Sequence, residues 1–409
     1  MKPSMYLIFG LILVVFISGC ARQDTQTGKM PATQEEMNEI PPVQEQESIQ
    51  QVEEEQIEED HQNKNCVGTG TVQFTSPPMR IEELGLIIPL GAMSTSHVTP
   101  TDHGYYFPPN WKPQEATDSS KFRDILAPAD GIVTSIGIVG GMQNDYRLEI
   151  YHTCTFYTIY IHVRELSPKI LQMTGGVTGH VSPIIAVTAG EVIGRSNGFD
   201  FSVHDENVIL KGFIIPEHYS EPWKIHTVDM FDSFVEPIKS QLLAKNVRQA
   251  QPRSGKIDYD IDGRLVGNWF QENTGGYRGG GVSANYWSTH LAFAYDHLDP
   301  SLIIVSIGDF NGEAKQFAVK GNAPDPATVS TASGLVKYEL VAGGYLTEEG
   351  KDWDRVSFAK ISKGFGYDQV AGVALVQMIS DRKIKLEVFP GKTASQVSGF
   401  TENAKIYER

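Results

Sequence analysis

The chain has 409 residues and a formal net charge of −16, with 50 Asp and Glu against 34 Lys and Arg. That length holds more than one ordinary domain, and the acidity argues against nucleic acid or an anionic membrane surface as a partner. Three cysteines without a Cys-x-x-Cys spacing leave a thiolate zinc site and a dithiol redox motif unsupported.

Residues 1–19 open with Lys2 as their one charge, run apolar from 5 to 17, and end in Ser18 and Gly19 ahead of Cys20. This is the layout of an export signal. The run Ile17-Ser18-Gly19-Cys20 resembles the lipobox of bacterial-type lipoproteins, which implies that Cys20 is acylated and becomes the new N-terminus. A transmembrane anchor is the alternative, although the apolar run falls short of the ~20 residues of a spanning helix. Either arrangement leaves the remainder extracytoplasmic and held at a membrane. Residues 21–65 carry 12 Asp and Glu, 3 Lys and Arg, and nine Gln. Such a composition cannot bury enough apolar surface to offset chain entropy, so 20–65 is expected to be a disordered acidic tether of roughly 40 Å, or at most a solvated helix around 45–60.

The rest divides near residue 252 into two mostly β halves, 66–252 and 253–409. Short β-branched and aromatic runs at 132–136, 148–151 and 156–161 predict strands, with Gly140-Gly141 and Gly175-Gly176 as hairpin turns. A helix is expected over 235–247, where Ile238, Leu242, Leu243 and Val247 recur at helical spacing, and a polar stretch containing Pro252 follows. If Cys20 is acylated, Cys66 and Cys154 remain as an even pair, to be read as a disulfide or as two unrelated buried thiols. In the second half, Gly267-Asn268-Trp269 resembles the first strand of lipocalin-like barrels. Runs at 302–307, 314–319 and 334–340, with a hairpin of 373–379 and 383–389, fit an antiparallel barrel or sandwich, either holding a lipid or small molecule or packing solid. The Gly-rich 275–281 lacks a following Lys-Ser/Thr, so it reads as a mobile hairpin tip rather than a phosphate loop.

The chemistry lies in the first half. His97 to His103, then Ala127-Pro128-Ala129-Asp130-Gly131-Ile132-Val133, Leu148 to His152, Tyr160-Ile161-His162-Val163 and Val187 to Gly194 follow one another over about 115 residues. That succession resembles the lysostaphin or LytM-like zinc endopeptidases, which cut peptide cross-links in bacterial cell walls. The resemblance implies an antiparallel β domain (a duplicated hybrid motif) over about 90–205. It further implies a zinc held by a His, an Asp and the second His of a His-x-His, with further histidines handling protons. On that pattern His97 and Asp102 stand as metal ligands and His162 as the acid/base or electrostatic residue.

Two roles are missing. Asp200 stands where the family has the first His of the pair, and Ser202 where it has the third ligand, a hydroxyl that is not ionised near neutral pH. His97 and Asp102 are also separated by one residue more than the family shows. His103 and His204 are candidate substitutes, but on a strand position 204 lies about 7 Å from 202, against metal bonds near ~2 Å. His152, His162 and the 97–103 loop also read as hydrogen-bonded packing groups. Residues 108–124 form a surface loop at the groove edge. There Tyr105, Tyr106, Phe107 and Trp111 serve either as an aromatic platform or as packing. The reading that follows is a non-catalytic envelope protein with zinc absent rather than present, which binds an envelope polysaccharide or peptidoglycan or regulates an envelope enzyme. The alternatives are an active zinc endopeptidase on cell-wall cross-links and a lipid carrier built on the C-terminal half.

Overall fold

Short runs of β-branched and aromatic residues, broken by Gly, Asp and Asn, give a chain built almost wholly from antiparallel strands. In this computed structural model residues 66–281 and 285–409 are described. The export signal, Cys20 and the acidic stretch to residue 65 lie outside the described residues.

The first half contains β1 (Leu86–Ile88), β2 (Gly104–Phe107), β3 (Arg123–Leu126), β4 (Gly131–Ile138), β5 (Tyr146–Tyr151) and β6 (Phe156–Val163). These are followed by β7 (Glu165–Leu166), α1 (Pro168–Thr174), β8 (His180–Val181), β9 (Ile185–Val187), β10 (Val192–Ser196), β11 (Phe199–Asp205) and α2 (Ile238–Lys245). The main sheet runs β1-β2-β11-β6-β5-β4-β8, with β9 also paired to β4, and a small sheet β3-β10-β7 lies beside it. Its core is aromatic and aliphatic, with Phe74, Tyr106, Ile150, Phe156, Tyr160, Phe199 and Phe201 among its buried members. Cys66 and Cys154 form a disulfide. The segment beyond Cys66 is also tied to the β5–β6 turn: Cys154 N–H donates to Gly68 O and Thr153 Oγ1 to Gly70 O.

Two expectations for this half are corrected. Gly175 caps α1 in the left-handed conformation, φ 68°, rather than turning a hairpin, because Ser167 and Pro168 start a helix there that apolar spacing alone did not reveal. The predicted helix over 235–247 narrows to α2. Pro237 at its N-cap holds the preceding residue out of helical geometry, and Asn246 is extended.

The second half is a closed meander of β12 (Gly267–Gln271), β13 (His290–Tyr295), β14 (Ile303–Phe310), β15 (Glu313–Val319), β16 (Val336–Thr347), β17 (Ile361–Ser380), β18 (Lys383–Pro390) and β19 (Lys405–Glu408). It is a barrel rather than a sandwich, since β19 pairs with β12. Alternate residues point inward, and Trp269, Leu291, Phe293, Val305, Ile307, Tyr338, Leu340, Val376, Ile384 and Leu386 pack as one buried cluster. Eight strands enclose a space that side chains can fill or that holds one small ligand, and this cluster of side chains lines it. Gly267, at φ 120°, cannot carry a side chain, because a Cβ there would meet Asp260 Oδ1 at 2.0 Å. The Gly-rich 275–281 is not a free tip. Tyr277 from it is buried against Phe270 and His290, with ring centroids 6.2 and 4.7 Å away.

Candidate functional site

β11 lies between β2 and β6, with Asp200 opposite Tyr105 on one side and Ile161 on the other. Strand alternation sends Phe199, Phe201 and Val203 into the core and sets Asp200, Ser202 and His204 on the opposite face. On β2 the same alternation buries Tyr106 and puts Tyr105 and Phe107 on the site face, in line with His103. The rings form a ladder: His97 to His103 5.5 Å, His103 to Tyr105 5.3 Å, Tyr105 to Phe107 6.2 Å and Phe107 to Trp111 4.2 Å. Trp111 is fixed by its Nε1–H donating to Asn197 O at 2.6 Å. On β6, the register against β5 slips between Tyr146 and Leu148, and His162 sits in that bulge with φ 66°. A bulged histidine in the left-handed region carries backbone strain, and such strain clusters where a side chain must be aimed.

The charged groups alternate in sign across this face. Arg164 Nη1 is 3.0 Å from Asp145 Oδ2, and Asp145 Oδ1 is 3.0 Å from His162 Nδ1. His162 Nε2 is 3.7 Å from Asp200 Oδ2, which is 3.4 Å from His103 Nε2. The second of these contacts is an ion pair off the line of a hydrogen bond. His103 Nδ1 is then 3.1 Å from Asp102 Oδ1, and Lys224 Nζ is 3.6 Å from that same oxygen. A cleft of about 310 Å³ opens beside the chain, lined by His97, Tyr105, Phe107, Trp111, His162, Arg164 and Asp200. A neighbouring cleft of about 530 Å³ shares Arg164 but holds no such cluster, and the 108–124 segment walls both.

Protonation follows from burial set against neighbours. Burial disfavours the charged form of His103, but Asp200 and then Asp102 outweigh it and hold the imidazole above the ordinary histidine value. His162 is raised in the same way, burial being overcome by the Asp145 hydrogen bond and the Asp200 charge. Burial also raises the Asp200 carboxyl, against the pull of both histidines. For Asp102 burial loses to Lys224 and His103, which keep its carboxyl well below the usual range. His97 and His204 are each pushed down by burial to about 3 and are neutral imidazoles at neutral pH.

The structure gathers His97, His103, His162 and Asp200 into one region, while Asp102 and Ser202 are engaged by neighbouring side chains. A catalytic zinc needs three donors near ~2 Å and an open position. Asp102 faces His103 and Lys224. His204 Nε2 is 2.7 Å from Ser202 Oγ, and its Nδ1 is 2.9 Å from Trp223 O, so both ring nitrogens of His204 and the Ser202 hydroxyl are engaged, whereas His103 Nε2 is buried without a hydrogen-bond partner. A cation placed at Asp102 would be repelled by the Lys224 ammonium, which already lies 3.6 Å from its Oδ1. Among the described residues no three His, Cys, Asp or Glu side chains are arranged to hold a metal ion. Ser202 at the third-ligand position, engaged by His204, and Asp102, engaged by Lys224, do not reproduce the His-Asp-His set that the resemblance implies. His152 is a packing residue, with its ring nitrogens 2.9 Å from Asp130 O and 3.0 Å from Thr158 Oγ1.

Sequence reasoning missed Asp145, Arg164 and Lys224. Arg164 follows two residues after His162 and was open to notice. Asp145 and Lys224 stand in a turn and an irregular segment, where no spacing marks them.

No family model matches the chain, and no curated protein matches it. Among solved structures, the NMR solution structure of lysostaphin is similar at 9% identity, over 72% of this chain and 100% of that one, with a TM-score of 0.25. A likeness this loose assigns no residue a role.

Proposed function

We propose that this chain is an exported, lipid-anchored envelope protein whose cleft binds a cell-envelope polymer without cleaving it. The anchor is Cys20, and the acidic 20–65 stretch holds the folded part away from the membrane. One observation carries the reading: the two carboxylates of the site, Asp102 and Asp200, are each held between basic side chains, while the aromatic wall of Tyr105, Phe107 and Trp111 stays on the cleft. Stacked rings beside paired charges suit a sugar ring or a peptide bearing polar groups, since aromatic faces bind flat apolar surfaces and the charges orient the polar ones.

Co-sedimentation of the purified full chain with peptidoglycan or with the host's own envelope polysaccharide tests it. The expected outcome is saturable binding, no release of soluble fragments, and about tenfold weaker binding in Trp111→Ala, the loss of one well-placed aromatic contact. Cleavage of the polymer, or binding indifferent to Trp111 and Phe107, would overturn the proposal.

A further inference from the structure

Lys224 is the feature of this site that the polymer-binding reading leaves unused. It stands on the short turn Pro222–His226, and its side chain is 2% exposed. A buried ammonium has three protons to place and a large desolvation cost to offset. Its Nζ donates to Pro100 O at 3.3 Å and lies 3.6 Å from Asp102 Oδ1. Tyr277, carried on the β12–β13 connection of the barrel, closes over it with its ring centroid 5.4 Å away. A backbone carbonyl, a carboxylate and an aromatic face are together the surroundings of a bound cation. At the far end of the same chain of ion pairs Arg164 plays the matching part at Asp145.

We propose that the Lys224 ammonium is a resident cation, standing at Asp102 where a metallopeptidase-like site would place its metal. The acid–base chain between Asp102 and Asp145 is thereby closed by a fixed positive charge at each end, and the site is complete without a metal ion. Tyr277 gives the barrel a share in that site, since it seals the ammonium from water.

Two measurements on the full chain test this. Elemental analysis after purification without chelator, followed by zinc addition and desalting, is expected to find no zinc and no change in thermal midpoint. One zinc per chain, lost in Asp102→Asn, would overturn the proposal. A double-mutant cycle is the second. Lys224→Met is expected to lower the midpoint by about 5–10 °C, because it strands the Asp102 carboxylate in a buried place. Lys224→Met combined with Asp102→Asn is expected to recover most of that loss, since both charges leave together. The double variant keeps the test open if the single one fails to fold. Additive losses would show that the two groups are not partners and would overturn the proposal. A chain that bound zinc at Asp102 yet bound polymer without cleaving it would end this inference and leave the preceding one standing.

Discussion

His162 shows how a single residue records a competition between backbone and side chain. At φ 66° an L-residue pays for its Cβ, while glycine does not. The imidazole is kept there by Asp145, which is fully buried and also holds Arg164. Removing the ring while keeping the strain should therefore cost more than removing both. His162→Ala is expected to be less stable than His162→Gly by about 1 kcal/mol, the reverse of the usual order in a strand. Urea unfolding of the two variants checks this, and an alanine variant equal to or above the glycine one would show that the bulge carries no strain. A second residue governs pH. Burial raises the Asp260 carboxyl to about 6, even with Arg409 3.4 Å away and the Asn268 N–H donating to it at 2.8 Å. A folded-state value above the unfolded one means that stability is fully present below about pH 4 and is lost as pH rises through about 6. The loss is at most about 3 kcal/mol. Thermal unfolding across pH 4–7 should show this decline in the wild type relative to Asp260→Asn, whose offset is constant across the range. A difference that does not change with pH would refute it. At this scale the sequence made some of the site legible. Asp200, Ser202 and His204 share a face because strand alternation is written in the order of residues. Lys224 and Asp145 were not legible, because their places depend on how distant loops close over that face.

Among the elements, local pattern decided strands well and turns poorly. β4, β5, β6 and the β17–β18 hairpin follow from β-branched runs and their alternation. Closure of the barrel does not, because it needs β19 to reach β12, and nothing in either strand announces the pairing. β17 extends back to Ile361 through Gly364, Gly366 and Gly372, which the sequence presents as breaks. At Gly364 and Gly366 the side chains of Leu302 and Val341 occupy the space a Cβ would take, and at Gly372 the Phe389 carbonyl oxygen does. The Cys66–Cys154 bridge joins positions 88 residues apart and pins the entry of the chain to the β5–β6 turn. Closing so long a loop in the unfolded chain removes much entropy, for an expected stabilisation of about 2–4 kcal/mol. Cys154→Ser should lower the free energy of unfolding by that amount, read from denaturant titration, and should make the protein insensitive to reductant. An unchanged midpoint would mean that the Gly68 and Gly70 hydrogen bonds hold the entry segment without the bridge.

Taken whole, the described residues between 66 and 409 belong to one compact unit, and the joint between the sheet and the barrel explains why. The polar stretch around Pro252 suggests a boundary in the sequence, yet it is bound on all sides. Arg248 is 1% exposed, and its guanidinium donates to Ala250 O, Gln251 O and Pro252 O, and across to His297 O of the barrel half at 2.6 Å. Ile361 N–H of β17 donates to Val247 O, and Phe270 and Tyr277 from the barrel side belong to the core of the first half. Elements that share a core and a buried guanidinium cannot unfold one at a time without exposing both, so the two halves should melt together. Far-UV circular dichroism, which reports all strands, and tryptophan fluorescence, to which Trp269 inside the barrel contributes, should give coincident urea transitions. In Arg248→Ala four carbonyls lose a charged donor, and both transitions should fall together by about 3 kcal/mol or more. Two separated transitions in the wild type would mean that the barrel is an independent domain and that Tyr277 reaches Lys224 only as a loose cover.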